Sequence, residues 1–193
     1  MCGGLGINFN SKPKPNIIIV LIESMDMGLK IKEAAQEDIE GLKSFFFRAW
    51  REAGPEALGW TGASKERLEH IASHDFLSSL INRDDVRIFL AWKEEDVVGF
   101  ASNSKVDEDI VELSGIIVLE SRTGIGIGSK LLESSIKSAK LDGFNTMVVK
   151  TEIFNDRAIQ FYRRKGFKIR ETTEEEIEGV KVELLILDRA IDK

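Results

Sequence analysis

An α+β fold follows from two features of this sequence: the succession of strand-like and helix-like segments, and one glycine-rich turn lying between a strand and a helix. Read by the period of its apolar residues, the chain runs β, α, α, β, β, β, α, β, α, β, β. Strands follow one another directly in the middle and at the end, which breaks the strict βαβα alternation of a doubly wound sheet. The chain has 193 residues, enough for one well-buried core and short for two. One domain is therefore expected over residues 28–193, with residues 1–27 as an N-terminal extension.

Hydrophobic residues make up 42% of the chain and charged residues 31%, which excludes wholesale disorder and gives no sign of a membrane protein. The formal net charge of −6 argues against a nucleic-acid partner, whose phosphates demand a basic face. Cys2 is the single cysteine, so a disulfide framework is ruled out and a cytoplasmic setting is expected. Its place at a chain end also makes it a poor nucleophile.

The extension carries glycines at 3, 4 and 6, then Lys12-Pro13-Lys14-Pro15, then an apolar run from Ile17 to Ile22. That run is too short to span a bilayer, which takes about 20 residues. A secretory signal is not expected either, because no small-residue cleavage site follows the run. The segment reads as an added strand or a partly ordered arm, or else translation starts at Met25 or Met27. The apolar run also offers an intersubunit strand for a homodimer.

From Leu29 the pattern is regular. Leu29-Lys30-Ile31-Lys32-Glu33-Ala34 alternates as a half-buried strand does. Gln36-Glu37-Asp38 puts acids into the first turn of a helix that carries Ile39, Leu42, Phe45, Phe46 and Ala49 on one face and closes near Gly54-Pro55. Residues 56–63 are a loop by composition, and Trp60 within it either lines a substrate mouth or plugs the helix pair. Ser64 caps a second helix with Leu68, Ile71, Phe76, Leu77 and Leu80 behind it. His70 and His74 fall four apart on that helix; with no third ligand nearby in sequence they read as surface histidines, and no metal site is expected.

Segments 86–92 and 97–102 flank Lys93-Glu94-Glu95-Asp96 as a hairpin, and a third strand, Ile110–Val118, runs into the glycine turn. The helix beyond the turn carries Leu131, Leu132, Ile136 and Ala139 on one face and stops near Asp142-Gly143. A strand over 146–151, a helix over 156–165 ended by Gly166, and strands over 167–171 and 180–187 complete the chain.

The turn itself reads Glu120-Ser121-Arg122-Thr123-Gly124-Ile125-Gly126-Ile127-Gly128-Ser129-Lys130. A strand feeding such a turn, which then opens a helix, lets backbone N–H groups converge on an anion such as a phosphate. Three alternate glycines keep side chains out of the way and accept the positive φ these turns need. It is not a Walker loop, since Gly128 is followed by Ser129 and only then by Lys130. Nor is it a dinucleotide fingerprint, because the required third glycine falls on Ser129 or, in the alternative register, on Leu131. Alone, the turn also admits a plain reading as a tight strand-to-helix connection.

A second motif accompanies it. Val118, the turn from Gly124 to Gly128, and the distal Asn155-Asp156-Arg157-Ala158-Ile159-Gln160-Phe161-Tyr162-Arg163-Arg164-Lys165-Gly166-Phe167 together resemble the GNAT superfamily of N-acetyltransferases, over roughly residues 28–190. The resemblance implies the acyl-CoA N-acyltransferase fold: a mixed, mostly antiparallel sheet of about six or seven strands, flanked by helices, with a splayed central strand pair. It also implies that the main chain of Ile116, Ile117 and Val118 pairs with the pantetheine arm of acetyl-CoA. The pyrophosphate then falls to the N–H groups of Gly124, Ile125, Gly126, Ile127, Gly128 and Ser129.

The family's turn pattern of Arg or Gln, two residues, Gly, one residue, Gly or Ala maps onto Thr123, Gly126 and Gly128. Thr123 departs from it, and Arg122 stands one place early, so the usual cation is lost or supplied from a shifted angle. Lys130 either adds charge at the rim or is a solvated helix residue. By the same resemblance Tyr162, the only tyrosine, hydrogen-bonds the cofactor sulfur and protonates the leaving thiolate, and Asn155 contacts the pantetheine arm, a role compatible with capping its helix. Phe161 and Phe167 read as core.

Glu112, six residues before Val118, matches the catalytic glutamate of several family members and would take the proton of the attacking amine, directly or through water. The alternation Ile110, Glu112, Ser114 equally makes it part of a polar strand face. Glu152 is the second candidate base. Peptide N-terminal acetylases of the family often carry a glutamate five residues before the Asn, where this chain has Lys150.

The implied activity is transfer of an acetyl group from acetyl-CoA, as cosubstrate, to a primary amine of a small molecule, polyamine, peptide or protein, by direct attack in a ternary complex and without a metal. The alternative is a non-catalytic acyl-CoA-binding or regulatory module on the same fold. The last hairpin carries Glu171, Glu174, Glu175, Glu176 and Glu178, which either draw in a cationic acceptor or form a solvated loop.

Overall fold

The computed structural model describes residues 28–55, 64–177 and 179–191. The expectations for residues 1–27, Trp60 and Glu178 lie outside the described residues. Strands β1 (Leu29–Glu33), β2 (Val86–Lys93), β3 (Asp96–Lys105), β4 (Ile110–Val118), β5 (Thr146–Glu152), β6 (Lys168–Ile177) and β7 (Val180–Ala190) form one sheet. Its order is β1-β2-β3-β4-β5-β7-β6, antiparallel throughout except where β4 runs parallel to β5. This is the mixed, mostly antiparallel α+β architecture that the sequence predicts.

Among the described residues five α-helices accompany it: α1 (Ile39–Ala53), α2 (Lys65–Ile71), α3 (His74–Ile81), α4 (Ile127–Leu141) and α5 (Asp156–Arg164). Helix α1 buries the face its spacing predicts, Ile39, Leu42, Phe45, Phe46 and Ala49. The acids ahead of it form a short 3-10 turn, Gln36–Asp38, in which buried Asp38 pairs with Lys32 at 2.6 Å and accepts from Ala35 N at 2.9 Å. Helices α1 and α4 cover opposite faces of β3. Gly99 faces Ile127 and Leu131 of α4, while Val97, across an irregularity in the β2–β3 pairing, faces Gly41 of α1.

Two expectations need correction. The second helix is in fact two, α2 and α3, because the Ser73 side chain accepts from Phe76 N at 3.3 Å and starts a new helix. His70 and His74 consequently sit on different helices, both exposed. The acidic run is not a loop either, since β6 continues to Ile177 with Glu171, Glu174, Glu175 and Glu176 in the strand. Glu175 meets Lys150 at 2.6 Å, Glu174 meets Lys181 at 2.7 Å, and Glu171 lies 3.7 Å from Arg170. A charged strand at the sheet's edge resists pairing with other chains. Among the described residues, no helix is long and apolar enough to cross a membrane.

The feature that positions everything else is the divergence of β4 from β5. They pair only over Ile110, Val111 and Glu112, against Thr146, Met147 and Val148. Beyond Glu112, β4 stays with β3 as far as Val118, and β5 stays with β7 as far as Glu152. A bulge opposite Ser102 and Asn103 leaves Ser114 as an extra residue, so that Val111, Leu113 and Ile116 all pack into the core beneath α4 and α5.

Candidate active site

The splay leaves one edge of β4 open. Leu119 N donates to Val98 O at 3.1 Å. By the alternation of an antiparallel ladder, the main-chain groups of Ile117 then also face β3, and those of Ile116 and Val118 face the opening beside β5. The sequence singles out Ile116, Ile117 and Val118; Ile117 is the one to correct, because its N–H and C=O are turned to β3 and only its neighbours present a main-chain edge to the opening.

Past Val118 the chain makes a 3-10 turn, Glu120–Arg122. Glu52 ties that turn to α1 by accepting from Ser121 N at 2.9 Å and from Ser121 Oγ at 3.1 Å. Gly124 and Gly126 follow with φ of 79° and 90°, a conformation that costs other residues roughly 1–2 kcal/mol. Helix α4 starts on Gly126 with no side chain capping it. The N–H groups of Ile127, Gly128 and Ser129 precede the first intrahelical bond, from Lys130 N to Gly126 O at 3.1 Å, and so remain for an anion. Gly128 corrects the sequence reading: positive φ is confined to Gly124 and Gly126 among the three. A Cβ built on Gly128 would lie in ordinary contact, 3.8 Å from Ile116 Cγ2 and from the Phe161 ring. Neither its backbone nor the atoms around it exclude a Cβ, which would stand on the lining of the opening beside β4.

These elements enclose a cleft of about 660 Å³ between the splayed end of β4, the turn, the C-terminal end of α1 and α5. The cleft brings together Ile116, Ile117, Val118, Thr123, Gly124, Gly126, Ile127, Gly128, Ser129, Asn155 and Tyr162. Ile125 lies off its lining with its side chain exposed, so any part it plays runs through the main chain. Asn155 Oδ1 accepts from Ala158 N at 3.0 Å and caps α5, leaving its Nδ2 donors for other partners. Tyr162 is buried between the rings of Phe161 and Phe167, with centroids 5.3 and 5.5 Å away. Burial pushes its phenol pKa up, so the hydroxyl keeps its proton at neutral pH. Phe167 is core as expected, whereas Phe161 is only half-buried and forms part of the cleft wall.

Neither candidate base lines the cleft. Glu112 is the last β4 residue paired with β5, at the root of the splay, 3.9 Å from Lys150 Nζ. The hydrogen bond from Lys150 to Glu175 holds the Lys150 pKa above its usual value, with Glu112 adding to the effect. Glu152 is buried at the end of β5, and its carbonyl oxygen accepts from Asn155 N at 3.0 Å.

Three arginines line the cleft, Arg122, Arg157 and Arg164. Arg122 was the displaced cation of the turn pattern, but Arg157 and Arg164 have no role in the sequence reading. Their spacing was the available signal, because Arg157, Phe161 and Arg164 recur at i, i+4 and i+7 and share one face of α5. Lys130 lies in the first turn of α4, off the cleft lining.

The sheet order and the β4–β5 splay are those of the acyl-CoA N-acyltransferase fold. This chain belongs to the acetyltransferase (GNAT) family, whose model matches residues 39–167. It is 25% identical over 147 residues to the mycothiol acetyltransferase of Corynebacterium efficiens, a match covering 74% of this chain and 45% of that protein. The chain thus spans less than half the length of that curated relative. Among solved structures, the PaiA N-acetyltransferase of Thermoplasma acidophilum in complex with coenzyme A superposes with a TM-score of 0.67 at 21% identity, covering 85% of this chain and 99% of the other. The Salmonella typhimurium protein yncA with acetyl-CoA gives a TM-score of 0.60 at 20% identity, covering 86% and 95%. At such identities these structures establish a shared fold.

Proposed function

We propose that this chain is an N-acetyltransferase that binds acetyl-CoA in the cleft and passes the acetyl group to a primary amine by direct attack in a ternary complex. The observation that carries the reading is the β4–β5 splay, whose free main-chain edge at Ile116 and Val118 leads straight to the uncapped start of α4. An extended amide-bearing arm fits the strand edge, and a pyrophosphate fits the helix start, the bare Cα of Gly128 and the arginines.

In this mechanism the amine nitrogen forms a bond to the thioester carbonyl carbon, and the carbon–sulfur bond breaks with its electron pair going to sulfur. The N–H of Ile116 or Val118 stabilises the charge that develops on the carbonyl oxygen. Glu112 takes the proton from nitrogen, through water because its side chain stands off the cleft. Tyr162 gives a proton to sulfur. Asn155 holds the arm through Nδ2 while its Oδ1 stays on Ala158 N. The acceptor is a primary amine entering on the face where Glu112, Lys150 and Glu175 meet.

Tyr162→Phe tests the assignment. The ring and its packing remain, and only the donor is lost. A thiolate leaves with little acid help near neutral pH, so kcat should fall about tenfold, less than a typical general acid contributes, while the acetyl-CoA Kd stays within about twofold. An unchanged kcat would remove Tyr162 from the proton path.

A further inference from the structure

We infer that Arg157, reaching from α5, is the phosphate-facing cation that the turn lacks at Thr123, and that it also masks Glu120, a carboxylate standing where the phosphates must lie. The inference rests on the cleft being an acetyl-CoA site. Thr123 cannot stand in for an Arg or Gln, since its hydroxyl is turned back onto its own turn and donates to Glu120 O at 3.0 Å. The guanidinium of Arg157 comes to the same residue from the opposite wall, with Nη1 3.0 Å from Glu120 Oε2 and 3.4 Å from Oε1. Both side chains line the cleft, 37 residues apart in sequence, and their ion pair spans it from the turn to α5.

Two consequences follow from charge. Glu120 lies three residues before Thr123, on the turn that leads into the anion-binding start of α4, where a bare carboxylate would repel a phosphate. Arg157 neutralises it using Nη1 alone, which leaves Nε and Nη2 with N–H donors in the planar fork that suits phosphate oxygens. The exposed ion pair contributes little to folding, because both side chains are at least half in solvent. Its value lies in ligand binding: one guanidinium sits between a fixed acid and an incoming anion. Arg122 and Arg164 flank the same cleft but have no comparable tie across it among the described contacts.

Calorimetric titration of acetyl-CoA into the full chain and three variants tests this. Arg157→Gln should weaken binding about 30-fold, since it removes a charge-assisted contact and also unmasks Glu120. Glu120→Gln alone should change the affinity by less than about threefold, and adding it to Arg157→Gln should recover about tenfold of the loss. Rescue by deleting the acid is an outcome that a merely structural role for Arg157 would not give. An Arg157→Gln affinity within about twofold of the parent overturns the inference, as does a loss that Glu120→Gln fails to repair. If the parent chain, folded by circular dichroism, binds no acetyl-CoA, the cofactor reading itself falls; if it binds and only the rescue fails, that reading stands and the inference alone is wrong.

Discussion

Gly128→Val should abolish productive acetyl-CoA binding, weakening it by about 100-fold, while leaving the melting temperature within a few degrees of the parent. The two halves of this expectation have separate physical origins. Gly128 sits in the first turn of α4 without positive φ, and its built Cβ meets Ile116 and Phe161 no closer than 3.8 Å. A side chain there does not strain the backbone, and valine is a better helix residue than glycine by a few tenths of a kcal/mol. Its γ-methyls, however, would project between the β4 edge and the Phe161 ring, into the passage a ligand must use to reach the helix N–H groups. Gly126→Val is the control with the opposite signature: φ is 90° at Gly126, so that variant should lose stability as well as binding. Native affinity in Gly128→Val would mean that the ligand does not approach this helix start.

Glu112→Gln should lower kcat by about 100-fold and leave the acetyl-CoA Kd unchanged, since a general base contributes on that order and Glu112 is not on the cleft lining. The fold should tolerate the change. Lys150 lies 3.9 Å from Glu112 but 2.6 Å from Glu175, so it keeps its shorter ion pair when Glu112 is neutralised. Steady-state rates with saturating amine and a parallel binding titration separate the two parameters. A fall of less than about threefold would shift the role to Glu152 or to solvent, and Glu152→Gln would then carry the loss.

What the sequence made legible was whatever repeats locally. The core face of α1, the span of β4 and the glycine turn all follow from apolar period and from residue types within one segment. The break between α2 and α3 escaped because Leu68 and Leu77 enter the same core, so apolar spacing continues across it; only the Ser73 cap marks it. The start of β6 was legible, but its continuation from Thr172 to Ile177 was hidden by its charge. Its glutamates find their cations on β5 and β7, at Lys150 and Lys181, and such partners are invisible to a local window. The same holds for the cleft. Ile116, Val118, Asn155 and Tyr162 came from paired motifs, but Arg157 acquires its place only once Glu120 is brought across from a distant turn. The splay is a property of pairing, with β4 leaving β5 after Glu112, and no single segment encodes it.

Acetyl transfer by this chain is tested with a panel of amines and peptides, covering small monoamines, polyamines, lysine side chains and free peptide N-termini, incubated with the chain and acetyl-CoA and scored by released thiol and by acetylated product. Stoichiometric thiol and acetylamine are expected with at least one class of acceptor, with the rate reduced in Glu112→Gln and in Tyr162→Phe. Tight acetyl-CoA binding with no thiol release above the hydrolytic background for any amine would contradict it and leave an acyl-CoA-binding module in its place.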